Sequence, residues 1–256
     1  MENEPKEPYP IESPEKEYGR SVEVHAVFMR HGERTDSGEL TEEGVKQAGA
    51  FGQSLENKDA VKVYSSPIQR AIETAEQVIK TAPHDKKLKT RIRSELEIPS
   101  ISQQFLEKLK EMETQNPDTS TEFYLSFGKE RPDKETVSPH EIAEMMAYIL
   151  TKYFKIAEKL KSGSNIDLVN VTHQGLPEAL LKEVLVQQEE EKIKIGFEKL
   201  AEIGGPLKLA ESMEFRIKTD EQGKKTVQLY LRGKIFDLDL SRVNELSRAY
   251  AEKQKV

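Results

Sequence analysis

Three times along this chain a short β-rich run ends in a polar turn and gives way to an amphipathic helix, and that recurrence restricts the fold more than any other feature. The first run, Val22 to Phe28, leads into Met29-Arg30-His31-Gly32. After a polar loop, Thr41 is placed to cap a helix running to about Leu55, and Glu42 and Glu43 suit the positive end of its dipole. The second run, Val61 to Ser65, precedes Ser66-Pro67-Ile68-Gln69. That order predicts a helix capped by Ser66, with proline in its first position and Gln69 closing a capping box, continuing to about Lys80. The third, Ile166 to Thr172, passes through His173-Gln174-Gly175 into a helix from about Pro177 to Val186. Strands alternating with helices predict an α/β fold, a three-layer α/β/α sandwich built on a mostly parallel sheet.

Between the second and third units, Glu111 to Lys134 is polar, broken by Pro117 and Pro132, and carries Phe123, Tyr124 and Phe127. It reads as part of a cap insertion over about residues 101–139, the three aromatics forming the cap's own core rather than a substrate platform. Ser138-Pro139-His140-Glu141 is a second capping box, and Ile142, Met145, Ile149, Tyr153, Ile156 and Leu160 mark the sheet-facing side of a long helix. Glu214 to Thr219 and Thr226 to Arg232 predict a β-hairpin, and a final helix starts near Arg242. The charged run Gln187 to Lys194 reads as a solvated helix face. Residues 1–20 are rich in Glu, Lys and Pro with little to bury, so they are expected to form a disordered or loosely attached tail before one domain spanning 21–256.

Composition removes several classes of function. The absence of cysteine excludes disulfides, thiolate metal sites and thiol nucleophiles. A net charge of -7 argues against a nucleic-acid partner, which needs a basic face. No apolar run reaches the roughly 18 residues of a spanning helix and the start has no secretory pattern, so a cytoplasmic protein without a membrane partner is expected.

In folds of this class ligands collect beyond the carboxyl ends of the strands. Arg30 and His31 follow the first strand, Ser65 to Arg70 the second, and His173 the third, so they converge on one edge together with Arg34. Two imidazoles and three guanidinium groups suit a dianion, because arginine presents fixed donor forks that match phosphate oxygens and the helix start near Pro67 adds free N–H groups. The clustered positive charge also disfavours protonation of a neighbouring imidazole. His31 is then available as a nucleophile toward phosphorus, with Arg30, Arg34, Arg70 and His173 stabilising the equatorial oxygens. Neither a cofactor nor a metal is needed. Zinc held by His31, His173 and a glutamate is disfavoured because three adjacent arginines repel a cation.

These segments carry a resemblance. Phe28 to Asp36 with its Arg-His-Gly-Glu-Arg core, Leu40 to Gly44, Tyr64 to Ala71 with Thr74 and Ala75, and Val171 to Gly175 resemble, in order, the signatures of the histidine phosphatase (phosphoglycerate mutase-like) superfamily. The first loop is similar to that of the superfamily's tyrosine-phosphatase branch, the ubiquitin-associated, SH3-containing phosphatases. The match covers roughly Val22 to Lys80 and Asp167 to Val186. It implies a phosphoglycerate mutase-like fold, a phosphorylated histidine at His31, and a phosphate pocket of Arg30, Arg34, Arg70 and His173. It also implies a carboxylic acid, following the strand after the second helix, that protonates the leaving oxygen and then activates water. Glu97, in Leu96-Glu97-Ile98, fits that pattern better than Glu95. Two departures stand out: Pro99 to Ser102 replaces the glycine-rich continuation after that acid, and Gln174 occupies a position often held by a small residue.

The expected activity is therefore metal-independent hydrolysis of a phosphomonoester, on a phosphorylated small molecule or a phosphoprotein. A phosphoglycerate-type mutase and a non-catalytic phospho-ligand binding module are the alternatives. His25, His84 and His140 read as surface or satisfied core groups.

Overall fold

Hydrophobic burial separates one half of the sheet from the other. The computed structural model describes residues 17–56, 58–189 and 192–255. In it β1 (Glu23–Arg30) has six successive buried residues, His25 among them, and β4 (Asn165–Thr172) ends in six more. Strands buried on both faces must be covered on both, as in parallel sheets. β2 (Ala60–Ser65) lies between β4 and β3 (Lys87–Ile92), and the pairings β1–β4, β4–β2 and β2–β3 are all parallel.

Helices cover both faces here. On one, Val27, Met29, Val61, Val63, Val169 and Val171 pack with Ala48 of α1 (Glu42–Ser54) and with Ala71, Ala75 and Val78 of α2 (Gln69–Thr81). On the other, Val24, Ala26, Phe28 and Leu168 meet the buried side of α5 (Pro139–Lys159), which also packs against α6 (Leu176–Val184) and α7 (Leu240–Lys253). The three-layer α/β/α arrangement is present. The Ser138/Glu141 capping box starts α5, and Thr41 caps α1 by accepting from Gly44 N at 3.0 Å.

The expectation of a mostly parallel sheet holds only in that half. The nine strands run β3-β2-β4-β1-β7-β8-β9-β5-β6. Beyond β1, the strands β7 (Ser212–Thr219), β8 (Lys225–Leu231), β9 (Lys234–Leu238), β5 (Leu185–Glu189) and β6 (Lys192–Ile195) are joined by antiparallel pairs only. Burial alternates in β7 and β8, and the buried face of β7 meets α5. The hairpin expected at 214–232 is β7–β8. The run from Gln187 to Lys194 is not a helix face: β5 and β6 form an edge hairpin there, with Glu190 and Glu191 outside the described residues.

α2 begins at Gln69 with Ile68 as N-cap, so the predicted Ser66 cap and Gln69 capping box do not form. Most of the expected tail falls in residues 1–16, outside the described residues, whereas Glu17 to Arg20 are attached: Gly19 N donates to Leu160 O and Ser162 N to Glu17 O, both at 2.8 Å. Within 101–139 lie α3 (Gln103–Gln115) and α4 (Pro117–Ser126), held by the packed rings of Phe105, Phe123, Tyr124 and Phe127. His25 and His84 are buried at the opposite end of the parallel strands, beside Glu23 and Asp167 respectively; His140, expected at the surface, is partly buried between Glu144 and Glu183. Among the described residues no helix is long and apolar enough to cross a membrane.

One close approach anchors the loop after β1. A Cβ on Gly44 would lie 2.1 Å from Glu33 O, and one on Gly32 would lie 2.7 Å from Gly44 O, so α1 can seat its first turn against this loop only with glycine at both places. Gly44→Ala is expected to destabilise the protein by about 1–3 kcal/mol through overpacking, read as a lower urea midpoint with an unchanged slope. A midpoint equal to that of the parent would show that the contact is not tight.

Candidate active site

The carboxyl ends of β1, β2 and β4 meet at one edge, and the backbone there leaves little freedom. His31 N donates to Thr172 O at 3.1 Å, Ser66 N to Val171 O at 3.1 Å, and Ala210 N to His31 O at 3.1 Å. Gly32 N donates to Thr74 Oγ1 at 3.1 Å, which ties the loop after β1 to α2.

The side chains follow. His31 is 4% exposed. Its Nδ1 donates to Gly32 O at 2.8 Å and its Nε2 accepts from Arg70 Nε at 2.9 Å. A carbonyl can only accept, so the hydrogen sits on Nδ1 and the lone pair on Nε2. His173 is the mirror case: Arg70 Nη2 donates to its Nδ1 at 3.3 Å, which leaves Nε2–H to donate to Ser66 Oγ at 2.8 Å. The two rings lie 5.3 Å apart, centre to centre. Arg70, in the first turn of α2, therefore joins both histidines.

Burial is the main reason both imidazoles stay neutral. It pushes His31 down to about 2, against the Gly32 hydrogen bond and with Arg70, His173 and Arg30 adding to it; His173 is pushed down to about 3, with help from Arg70 and Arg30. Clustered guanidinium charge, the reason expected from the sequence, is the smaller cause.

Arg30 Nη1 donates to Leu207 O at 3.0 Å, while its Nε is buried without a partner among the described residues. Arg34 is exposed and donates to Thr35 O at 3.4 Å. Arg30, His31, Arg34, Arg70, His173 and Gln174 all line a cavity of about 430 Å³. Its far wall comes from the 101–139 segment, with Leu106 and Leu109 of α3 and Thr121 and Tyr124 of α4. Gln174 Nε2 donates to Thr121 Oγ1 at 2.5 Å, so this residue closes the gap between the β4–α6 turn and the cap.

The two candidate acids diverge. Both flank Leu96, which is fully buried and whose carbonyl accepts from Thr172 Oγ1 at 2.7 Å. Burial and the neighbouring arginines lower the Arg70 pKa and the charge of Glu97 opposes that shift, while Ile98, rather than Glu97 itself, lines the cavity. Glu95 turns to α5, where its Oε1 lies 3.4 Å from Lys152 Nζ.

The model of the histidine phosphatase superfamily (branch 1) matches residues 26–203. The chain belongs to this superfamily. A probable phosphatase of Schizosaccharomyces pombe is 50% identical to it over 54 residues, which are 21% of this chain and 19% of that protein. The chain thus spans about a fifth of the length of the curated relative it matches. Among solved structures its fold is similar to two mycobacterial hydrolases. The first has a TM-score of 0.52 at 16% identity, covering 83% of this chain and 99% of that one. The second has a TM-score of 0.52 at 16% identity, covering 89% and 98%. A mycobacterial glucosyl-3-phosphoglycerate phosphatase solved with VO3 has a TM-score of 0.50 at 17% identity, covering 81% and 97%. The phosphoglycerate mutase-like fold is therefore that of histidine phosphatases.

Some residues around this superfamily's pocket were not legible beforehand as parts of a site. Ser66, expected as a helix cap, is the partner of His173 and also accepts from Ile68 N at 3.3 Å. Glu178 sits below the His173 turn, and Leu207 reaches Arg30 from a loop beyond the matched span.

Imidazoles held neutral have a consequence for stability. In the unfolded chain each titrates near 6.5, so below that pH the unfolded state takes up protons that the folded state refuses. Stability is complete above about pH 6.5 and falls as pH drops toward the folded values, by at most about 1.4 kcal/mol per pH unit for each imidazole. Urea denaturation of ligand-free protein between pH 7 and 5 is expected to show this fall, with a shallower slope in His31→Asn and His173→Asn. Equal slopes in all three proteins would mean that the imidazoles are not held neutral.

Proposed function

We propose that this protein is a metal-independent phosphomonoester hydrolase that works through a phosphohistidine on His31. The observation that carries the reading is the bond from His31 Nδ1 to Gly32 O, which leaves a lone pair on Nε2 at the floor of an arginine-lined cavity. A nucleophile needs an unprotonated, aimed lone pair; this backbone contact keeps the hydrogen on Nδ1, and Arg70 Nε engages the Nε2 lone pair in the absence of phosphate.

In this reading a phosphate dianion enters between Arg30, Arg34 and Arg70 and takes over the Arg70 donors. Nε2 of His31 then attacks phosphorus in line with the ester oxygen; the N–P bond forms as the P–O bond breaks. The guanidinium groups and His173 stabilise the equatorial oxygens. Glu97, protonated, gives its hydrogen to the departing oxygen. Once the alcohol has left, the Glu97 carboxylate takes a proton from water, whose oxygen attacks phosphorus and releases inorganic phosphate, returning His31 to its neutral form. The position of Glu97 beside Arg70, against that of Glu95 on Lys152, favours Glu97 in this role. Substrates are phosphorylated small molecules or a phosphorylated side chain able to enter a cavity of about 430 Å³.

Purified protein is expected to release phosphate from p-nitrophenyl phosphate with and without a chelator. His31→Ala should abolish release, and Glu97→Gln should slow it by about 10²–10⁴-fold. Acid quenching during turnover should trap acid-labile phosphate at position 31. Undiminished turnover in His31→Ala overturns the reading. Interconversion of phosphoglycerates without phosphate release would make the protein a mutase, and phosphate binding without turnover a binding module.

A further inference from the structure

Glu178, at the third position of α6, is 1% exposed, and neither the cavity nor the proposed reaction touches it. An acid in a helix's first turn ordinarily satisfies a backbone N–H there, and one oxygen does so: Gly175 N donates to Oε2 at 2.7 Å. The second oxygen is what a cap does not need. Leu207 N, 29 residues further on, donates to Oε1 at 2.7 Å, and the Leu207 carbonyl in turn accepts from Arg30 Nη1 at 3.0 Å. One carboxylate thus joins the turn that carries His173 to the peptide that holds Arg30.

The loop bearing Leu207 is otherwise rigid. Arg232 donates to Ile203 O at 2.7 Å, Gly205 O at 2.9 Å and Pro206 O at 2.8 Å, and pairs with Glu211 at 2.6 Å. Arg30 N donates to Glu211 O at 2.9 Å, which ties the same loop to β1. Gly175 has φ +94, a conformation that glycine adopts freely and that lets its N–H face the Glu178 carboxylate. Leaving an ionised carboxylate buried is costly unless opposite charge and donors surround it. Burial raises the Glu178 pKa and lowers that of Arg30; backbone donors and the charge of Arg30 oppose the shift at Glu178, and the Glu178 charge opposes the shift at Arg30.

We infer that Glu178 is a positioning residue that sets Arg30 and the His173 turn in one register through the Leu207 peptide. The inference rests on the phosphohydrolase reading above. Glutamine at this place keeps the size but must present an N–H₂ to one of two N–H groups, so one of the two links opens.

The test is a double-mutant cycle in the full chain: Glu178→Gln, Arg30→Ala and both together. It is read by kcat/KM for p-nitrophenyl phosphate, by calorimetric affinity for inorganic phosphate, and by thermal midpoint. Glu178→Gln is expected to lower kcat/KM and phosphate affinity by about 10-fold, but by less than about 2-fold when Arg30 is already alanine. Equal losses in both backgrounds, or a lower midpoint with unchanged kcat/KM in the folded fraction, overturn the inference. Should Glu178→Gln not fold, Glu178→Asp, whose shorter arm reaches one donor only, carries the same cycle. If the parent binds phosphate without hydrolysing the ester, the hydrolase reading fails while the phosphate affinities still decide on Glu178. If it does neither, both fail.

Discussion

A backbone carbonyl decides what chemistry this pocket can do. Gly32 O accepts from His31 Nδ1 and thereby assigns the ring its tautomer, and burial then keeps the ring neutral. Everything that fixes Gly32 therefore bears on the imidazole. Thr74 Oγ1 holds its N–H, Gly44 lies against its Cα, and Thr172 O holds the His31 N–H from the adjoining strand. These contacts come from α2, α1 and β4, so three elements far apart in sequence agree on the placement of one residue. That agreement is what a central strand in a parallel sheet provides.

The sheet divides its labour at β1. On one side the parallel strands deliver loops to a single edge, and helices cover both faces of the sheet beneath it. On the other side the antiparallel strands add little to the pocket directly. Their contribution is the loop 203–211, which precedes β7 and is clamped by Arg232 from the turn after β8. Its carbonyls at Leu207 and Glu211 receive Arg30. An arginine buried to that degree needs acceptors that do not move, and a loop pinned at several carbonyls supplies them.

How much of this could be seen in the sequence depends on how local each signal was. The three strand-to-helix units were legible because apolar runs, caps and proline all point the same way within a few residues. The convergence of Arg30, His31, Arg70 and His173 followed from them by topology. The extent of the antiparallel half was not foreseen, although the alternation in Ser212–Thr219, buried on every second residue, is the mark of a strand with one wet face. The β5–β6 hairpin was mistaken for helix because Gln187 to Lys194 carries charge at an edge where little is buried; Ile193 there is 75% exposed. Ser66 resembled a cap and has another partner. Glu178, three residues after Gly175, had the spacing of a helix-start acid, but its second partner lies in an irregular loop with no pattern to announce it.

In the proposed reaction the nucleophile is covered at rest. Arg70 donates to both histidines, so the lone pair on His31 Nε2 is already engaged. A neutral molecule gives Arg70 no reason to leave: an imidazole nitrogen is a better acceptor for a guanidinium than an alcohol or ether oxygen. A phosphate dianion does, because charge-assisted bonds are roughly twice as strong as neutral ones and a guanidinium fork matches two of its oxygens. Burial lowers the pKa values of Arg30 and Arg70, the neighbouring guanidinium charges add to that shift, and a dianion offsets both costs. On the proposed mechanism, binding the anion and freeing the His31 lone pair are then one event.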